Sequence, residues 1–317
     1  MESKSILLIG GYGFLGCNIL HWIDANSLQY KVTVLGREND FATNGKFKCV
    51  KSEFLGDFTD SEFLTNALEN SNFDYVFHCL STSTPATSNT EIIQDIESNL
   101  IATIRLLDLL RSKKSKLVFF SSGGAIYGNS ASVVHKVGDT PNPVSSYGVI
   151  KNCIEQYISV YNNLYGLKYI NLRISNPYGF YHKSNVQGLI NIAIRKAISK
   201  ESIEVWGDGN NQKDYIFAQD IPAIIFPILE KDIQNITLNL GSGTGSSINS
   251  ILKIIRNINQ EISVRYKEHK AHDVPEFVLN IEKLSELIDL NLTPLDRGIL
   301  KTYNWQKSIT LSNHEHV

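Results

Sequence analysis

The sequence predicts a doubly wound α/β fold, a parallel sheet covered by helices on both faces, with a smaller lobe completed by the last third of the chain. Three observations lead there. Short apolar runs (SILLIGG, KVTVLGR, FKCV, DYVFHCL, KLVFF and YINLRIS) recur through the first two thirds. Between them, apolar residues fall three or four apart, as at Ile92, Ile96, Leu100, Ile104, Leu107 and Leu110, which is one face of a helix. After about residue 180 this rhythm gives way to helical stretches separated by turn-rich segments. A sheet buried on both faces needs strands that are apolar throughout, which is what the runs supply.

Bulk properties narrow the function classes. A net charge of −2 and a pI near 6.5 offer no basic excess for nucleic acid or an anionic membrane. Cys17, Cys49, Cys79 and Cys153 contain no C-x-x-C pair, so reduced thiols in a cytoplasmic protein are expected, with neither a disulfide framework nor a metal site. No run approaches the about 20 apolar residues that span a bilayer, and no leader or anchor is expected.

In chain order, SILLIGG is followed by the loop GGYGFLG, with glycines at 10, 13 and 16 and a helical pattern through Ile19, Leu20 and Ile23. Glycines at this spacing, between a strand and a helix, let backbone approach a pyrophosphate and turn helix N–H groups toward its charge. The loop Gly10, Gly13, Phe14, Leu15 and Gly16 is therefore read as dinucleotide-binding, in a Rossmann-type domain, rather than as a bare turn. The second strand ends in Gly36 and Arg37, where a carboxylate often meets the ribose hydroxyls. An arginine there favours NADP(H) over NAD(H), unless Glu38 or Asp40 reaches the ribose or Arg37 is a solvated loop residue.

The strand KLVFF stops in SSGGAIYGN, where two adjacent hydroxyls and a tyrosine exceed what a turn requires. Further on, SSYGVIKNCIEQYISVYNNLYG reads as an amphipathic helix with Tyr147 and Lys151 four apart on one face. An ammonium beside a phenol stabilises the phenolate and makes the tyrosine usable as an acid or base. The alternative is a tyrosine packed on a lysine stem. SNVQGLINIAIRKAISK and SSINSILKIIRNINQ then read as helices of the smaller lobe, giving a division into residues 1–180 and 181–317.

Together these pieces resemble the extended short-chain dehydrogenase/reductase family, and within it the nucleotide-sugar epimerases, dehydratases and reductases. GGYGFLG, GDFTD, HCLSTS, SNLIAT, SSGGAIYG, YGVIK, RISNPYG and WGDGNNQKDYI occur in the family's order, to about residue 300. The resemblance implies that Tyr147 is the general acid/base and that Lys151 lowers its pKa and holds the nicotinamide ribose. It places Asp57 and Phe58 at the adenine, Leu80, Ser81 and Ser121 along the cofactor, and Asn99 behind the site. Asn176 and the Gln187, Gly188, Leu189 segment would face a nucleotide sugar, with Trp206 and Tyr215 as walls. Asn99 as a backbone cap and Trp206 as core filler are the structural alternatives.

Three departures from the family pattern stand out. The serine or threonine expected four residues before Tyr127 is Gly123, so Ser122 replaces it only if the strand end turns; otherwise water or a substrate hydroxyl would use the room left at Gly123. The arginine of the GDG stretch is Lys213, a point charge instead of a bidentate donor. His269, Lys270 and His272 stand where an arginine commonly faces the diphosphate, with Asp273 retained.

The resemblance implies hydride exchange at sugar carbon 4. A dehydratase is disfavoured because its extra acid and base would fall on Gly124 and Ala125. A 4-keto-6-deoxy nucleotide-sugar reductase, for example on a dTDP-linked sugar, ranks slightly ahead of a UDP-hexose 4-epimerase because of Arg37. Either would serve glycan precursor synthesis. A noncatalytic dinucleotide sensor is the reading from another class. A homodimer is implied, through the helices at 90–111 and 145–165.

Overall fold

The computed structural model describes residues 3–37, 47–85, 87–128, 130, 132–268 and 276–314. Seven strands form one parallel sheet: β1 (Lys4–Ile9), β2 (Tyr30–Gly36), β3 (Val50–Leu55), β4 (Tyr75–His78), β5 (Lys116–Ser122), β7 (Lys168–Ile174) and β11 (Ile236–Leu240). Their order is β3-β2-β1-β4-β5-β7-β11. The order reverses between β1 and β4, which opens a crevice beyond the carboxyl ends of those strands.

β1 shows why the runs are continuously apolar. Ile6 and Leu8 enter the core on one face with α1 (Phe14–Ala25) and α8 (Asp220–Glu230). Leu7 and Ile9 enter the core on the other face, with α2 (Ser61–Leu68), α4 (Ala102–Leu110) and α6 (Ser146–Tyr165). The sheet is a Rossmann-like α/β fold, as the sequence predicts.

Before α4 the chain runs through α3 (Ile92–Asp95) and a π-helical segment, Ile96–Ile101. After β5 comes the short α5 (Gly123–Tyr127), then β6 (Val134–His135) and α6. The smaller lobe packs β8 (Asn176–Tyr178), α7 (Leu189–Ile198), β9 (Ser202–Trp206), β10 (Gln212–Phe217), β12 (Gly245–Ser247), α9 (Ile248–Ile258) and β13 (Ser263–Lys267) around a third core. β14 (Val278–Leu279), α10 (Glu282–Leu287) and α11 (Leu295–His314) follow. The division at residue 180 is crossed: α8 and β11 return to the large sheet, because its last strand needs a partner beside β7. Among the described residues, no helix is long and apolar enough to cross a membrane.

Candidate active site

The glycine loop follows from sterics. Gly10 has φ +76°, and a Cβ there would stand 3.0 Å from the backbone nitrogen of Leu80. At Gly16 a Cβ would collide with the carbonyl oxygens of Gly10 and Gly11, so only glycine lets α1 dock this close to β1. Gly13 is the N-cap of α1; it supplies no side-chain cap, and the first turn carries no acidic residue. Its N–H groups and positive dipole end thus suit a diphosphate. Leu80, beside Gly10, also walls a cleft of about 930 Å³ with Arg37, Asp57, Phe58, Thr82 and Asp95. Cradle, helix end and elongated cleft fit a dinucleotide.

In that cleft, Asp57 accepts hydrogen bonds from the Thr59 N–H and hydroxyl, each at 2.8 Å. Those bonds, joined by the charge of Arg37, hold its carboxyl below the usual range. Arg105 donates to the Thr59 carbonyl at 3.1 Å and lines the same cleft. Two guanidiniums therefore flank the Asp57–Thr59 turn.

β5 and α6 bring Ser122, Tyr147 and Lys151 together. Ser122 ends β5 in extended conformation (φ −135°, ψ 113°), and the chain turns at once into α5. The turn brings the Ser122 side chain to the phenol of Tyr147, the second residue of α6, where it favours the ionised phenol. The strand end turns, as the use of Ser122 requires. Gly123 is buried, and a Cβ there would meet Leu279 at 2.8 Å and Phe277 at 3.3 Å. Leu279 fills the room assigned to a water or a substrate hydroxyl.

Lys151 is buried and donates to the Phe120 carbonyl at 3.0 Å, with its Nζ 5.6 Å from the Tyr147 ring centre. Burial pushes the ammonium down to about 8, against the opposing pull of Cys79, Glu155 and Asp95. Burial likewise pushes the half-buried Tyr147 phenol up to about 12, while the Ser122 side chain pulls it back. In the ligand-free chain, desolvation of the phenol outweighs any lowering by Lys151, contrary to the expectation for that pair.

Other predicted residues are placed as follows. Phe58 is buried in the cleft wall, 5.2 Å from the His78 ring. Ser81 is exposed and donates to the Ser83 carbonyl at 3.0 Å. Asn99 accepts from the Thr82 N–H at 3.0 Å and donates to Asp95 at 2.9 Å, so its amide braces the loop after β4. Ser121, expected along the cofactor, points the other way: strand alternation buries it against Glu155, to which it donates at 2.5 Å. Glu155 in turn receives Arg173 through Nη2 at 2.8 Å, and Arg173 Nη1 donates to the Tyr127 hydroxyl at 2.9 Å. Tyr127, the tyrosine of the SSGGAIYGN segment, is thus a buried structural anchor; its hydroxyl donates to Asn239 at 2.8 Å.

On the small lobe, Asn176 donates to the Asp214 carbonyl at 2.7 Å, and Gln187 and Gly188 lead into α7. Trp206 is 41% exposed, with Lys267 Nζ 5.2 Å from its ring centre. Tyr215, expected as a wall, is 8% exposed in the small-lobe core, because β10 is buried on both sides beyond Lys213. His272, with His269, Lys270 and Asp273, lies outside the described residues, as do Glu38 and Asp40. Asp95, Ser88, Arg105 and Glu155 are site neighbours that sequence reasoning missed. Only Glu155 carried a signal, four residues after Lys151 on the same helix face.

The fold and this site define an enzyme of the extended short-chain dehydrogenase/reductase class. Residues 6–241 match the model of the NAD dependent epimerase/dehydratase family, and the chain belongs to that family. It is 30% identical over 311 residues to a provisionally assigned UDP-glucose 4-epimerase of Methanocaldococcus jannaschii, covering 96% of this chain and 98% of that one. It is 26% identical to the dTDP-4-dehydro-6-deoxyglucose reductase of Escherichia coli, over 95% and 96% of the two chains. Among solved structures it is similar to the UDP-glucose 4-epimerase of Thermotoga maritima with UDP-glucose, at TM-score 0.87 and 27% identity, covering 96% of this chain and 99% of that one.

Proposed function

We propose that this protein is a nucleotide-sugar oxidoreductase acting at sugar carbon 4, and that its reaction is 4-epimerisation of a UDP-hexose. The observation that carries the chemistry is the grouping of Ser122, Tyr147 and Lys151, with the Lys151 Nζ 5.6 Å from the Tyr147 ring centre and Ser122 acting on its phenol. The relatives named above move the balance from the reductase, which Arg37 alone had favoured, to the epimerase. A bound nicotinamide dinucleotide would supply the hydride acceptor and donor. Tyr147 takes the proton of the carbon-4 hydroxyl as that carbon is oxidised and returns it as the carbon is reduced. Ser122 keeps the phenol oxygen aimed at the substrate, and the Lys151 charge favours its ionised form once a ligand completes the pocket.

The second reading is a 4-keto-6-deoxy nucleotide-sugar reductase using NADPH, supported by Arg37 and Arg105 on either side of the Asp57–Thr59 turn. One experiment separates the two. The dinucleotide released on denaturing the purified protein is identified, and the protein is assayed with UDP-galactose and with dTDP-4-keto-6-deoxyglucose plus NADPH. Retained NAD and conversion of UDP-galactose support the epimerase. NADPH oxidation only with the keto sugar supports the reductase, and no turnover by either route overturns both.

We also infer a homodimer. Val149, Tyr157, Val160 and Leu164 line one outer face of α6 at 42–67% exposure, and Ile93 and Ile101 are exposed on the neighbouring helical segment. A second copy of the same faces would cover them.

A further inference from the structure

The helix that carries Tyr147 starts under an unusual set of restraints. The Ser146 N–H donates to Asn89 Oδ1 at 2.8 Å, and the Tyr147 N–H donates to the buried Ser88 hydroxyl at 3.1 Å. Both partners come from the loop between β4 and α3. Asp95 joins the same assembly. It is 4% exposed and sits at the end of α3, where the chain enters the π-helical segment. One carboxylate oxygen accepts the Ser146 hydroxyl at 2.7 Å. The other accepts the Ser83 hydroxyl at 2.5 Å and the Asn99 amide at 2.9 Å. One side chain therefore ties the residue before Tyr147 to the loop that walls the cleft. The wider turn of a π segment, a feature frequent at functional sites, follows immediately.

We propose that Asp95 is the positioning residue of this site: it holds the start of α6 against the cleft loop and so fixes where the Tyr147 phenol meets Ser122. The proposal rests on the assignment of Tyr147 as acid/base. Asp95 touches no reacting atom; it acts through Ser146 and through its charge. The charged groups facing Tyr147 are Asp95 across the helix boundary and Lys151 on its own helix. The titratable groups facing Lys151 are the Cys79 thiol after β4, Glu155 on α6, and Asp95 again. The Asp95 charge raises the proton affinity of both Tyr147 and Lys151. Removing it while keeping the shape shifts the ionisation of Tyr147 to lower pH; removing the Ser146 link misplaces the phenol with that charge left in place.

The test uses the full chain labelled with 3-fluorotyrosine and followed by fluorine NMR, with the Tyr147 resonance identified by its loss in Tyr147→Phe. In Asp95→Asn the midpoint of that resonance is expected at lower pH than in wild type. In Ser146→Ala the midpoint holds and the resonance broadens or splits. Turnover of UDP-galactose with NAD, or of dTDP-4-keto-6-deoxyglucose with NADPH, gives a second readout: kcat falls about 10- to 100-fold in Asp95→Ala with little change in KM, as expected for a misplaced reacting group. An unmoved midpoint in Asp95→Asn overturns the proposal. If Tyr147→Phe keeps most of the activity, the acid/base assignment fails instead, whatever the fluorine midpoints show.

Discussion

Ser122, the last residue of β5, is brought to the phenol of Tyr147, the second residue of α6, because the chain turns into α5 directly after it, and there it favours the ionised phenol. Leu279 and Phe277 crowd Gly123, where the hydroxyl is expected, and leave Ser122 as its nearest substitute in sequence. Ser122→Ala is expected to lower kcat about 10- to 100-fold, the scale of a lost proton-transfer partner, and Ser122→Thr to retain most of it. Adding Gly123→Ser to Ser122→Ala restores nothing, since its Cβ would press on Leu279 at 2.8 Å. It lowers stability by about 1–3 kcal/mol through overpacking. Steady-state kinetics and urea unfolding of the three variants check this, and rescue by Gly123→Ser would reassign the donor.

Lys151 makes the ligand-free protein less stable than it need be. Its ammonium is depressed from 10.5 to about 8 by burial, a destabilisation of roughly 3 kcal/mol at pH 7. Between these values the unfolded chain holds more protons than the folded one, so this penalty is complete below pH 8 and fades as pH rises toward 10.5. Lys151→Met is therefore expected to abolish turnover yet stabilise the empty protein at pH 7 by about 1–3 kcal/mol, with a smaller gain at pH 10. Urea midpoints at the two pH values decide it; a variant less stable at both would mean that the Phe120 carbonyl bond outweighs desolvation.

The parts legible in the sequence are those fixed by local rules. Strand runs, the glycine loop and the Tyr147–Lys151 spacing each follow from a period or a steric need that a few adjacent residues carry. What was hidden depends on contacts between distant segments. Nothing near Gly123 announces that Leu279, more than a hundred residues later, occupies the adjacent space. Asp95 looked like one polar residue on an amphipathic helix, and only the fold brings it to Ser146. The burial of Tyr215 was likewise hidden, because β10 is buried on both faces, which a mixed polar sequence conceals.

We expect cofactor choice to turn on two arginines. Arg37 bears on Asp57 and Arg105 holds the Thr59 carbonyl, so a 2′-phosphate at this end of the cleft would meet two positive charges. If the protein uses NADP(H), Arg37→Ala and Arg105→Ala are each expected to weaken NADPH binding about 10-fold, with little effect on NADH, as for loss of a charge-assisted hydrogen bond. Fluorescence titration of the emptied protein measures both. Equal losses for the two cofactors would place the arginines on parts they share.

The outer face of α6 carries the last prediction. Leu164 is 67% exposed and Val160 45%, one turn apart, with Tyr157 and Val149 continuing the stripe. Covering such side chains contributes about 1.5–3 kcal/mol each when burial is complete, and placing a carboxylate in the covered face costs more than that gain. Val160→Asp with Leu164→Asp is therefore expected to give a protein that sediments as one chain where wild type sediments as two. Because both side chains point away from the sheet, the monomer should retain the far-UV signature of the fold. Wild type sedimenting as one chain at micromolar concentration would remove the dimer; a double variant that still sediments as two would move the interface to another face.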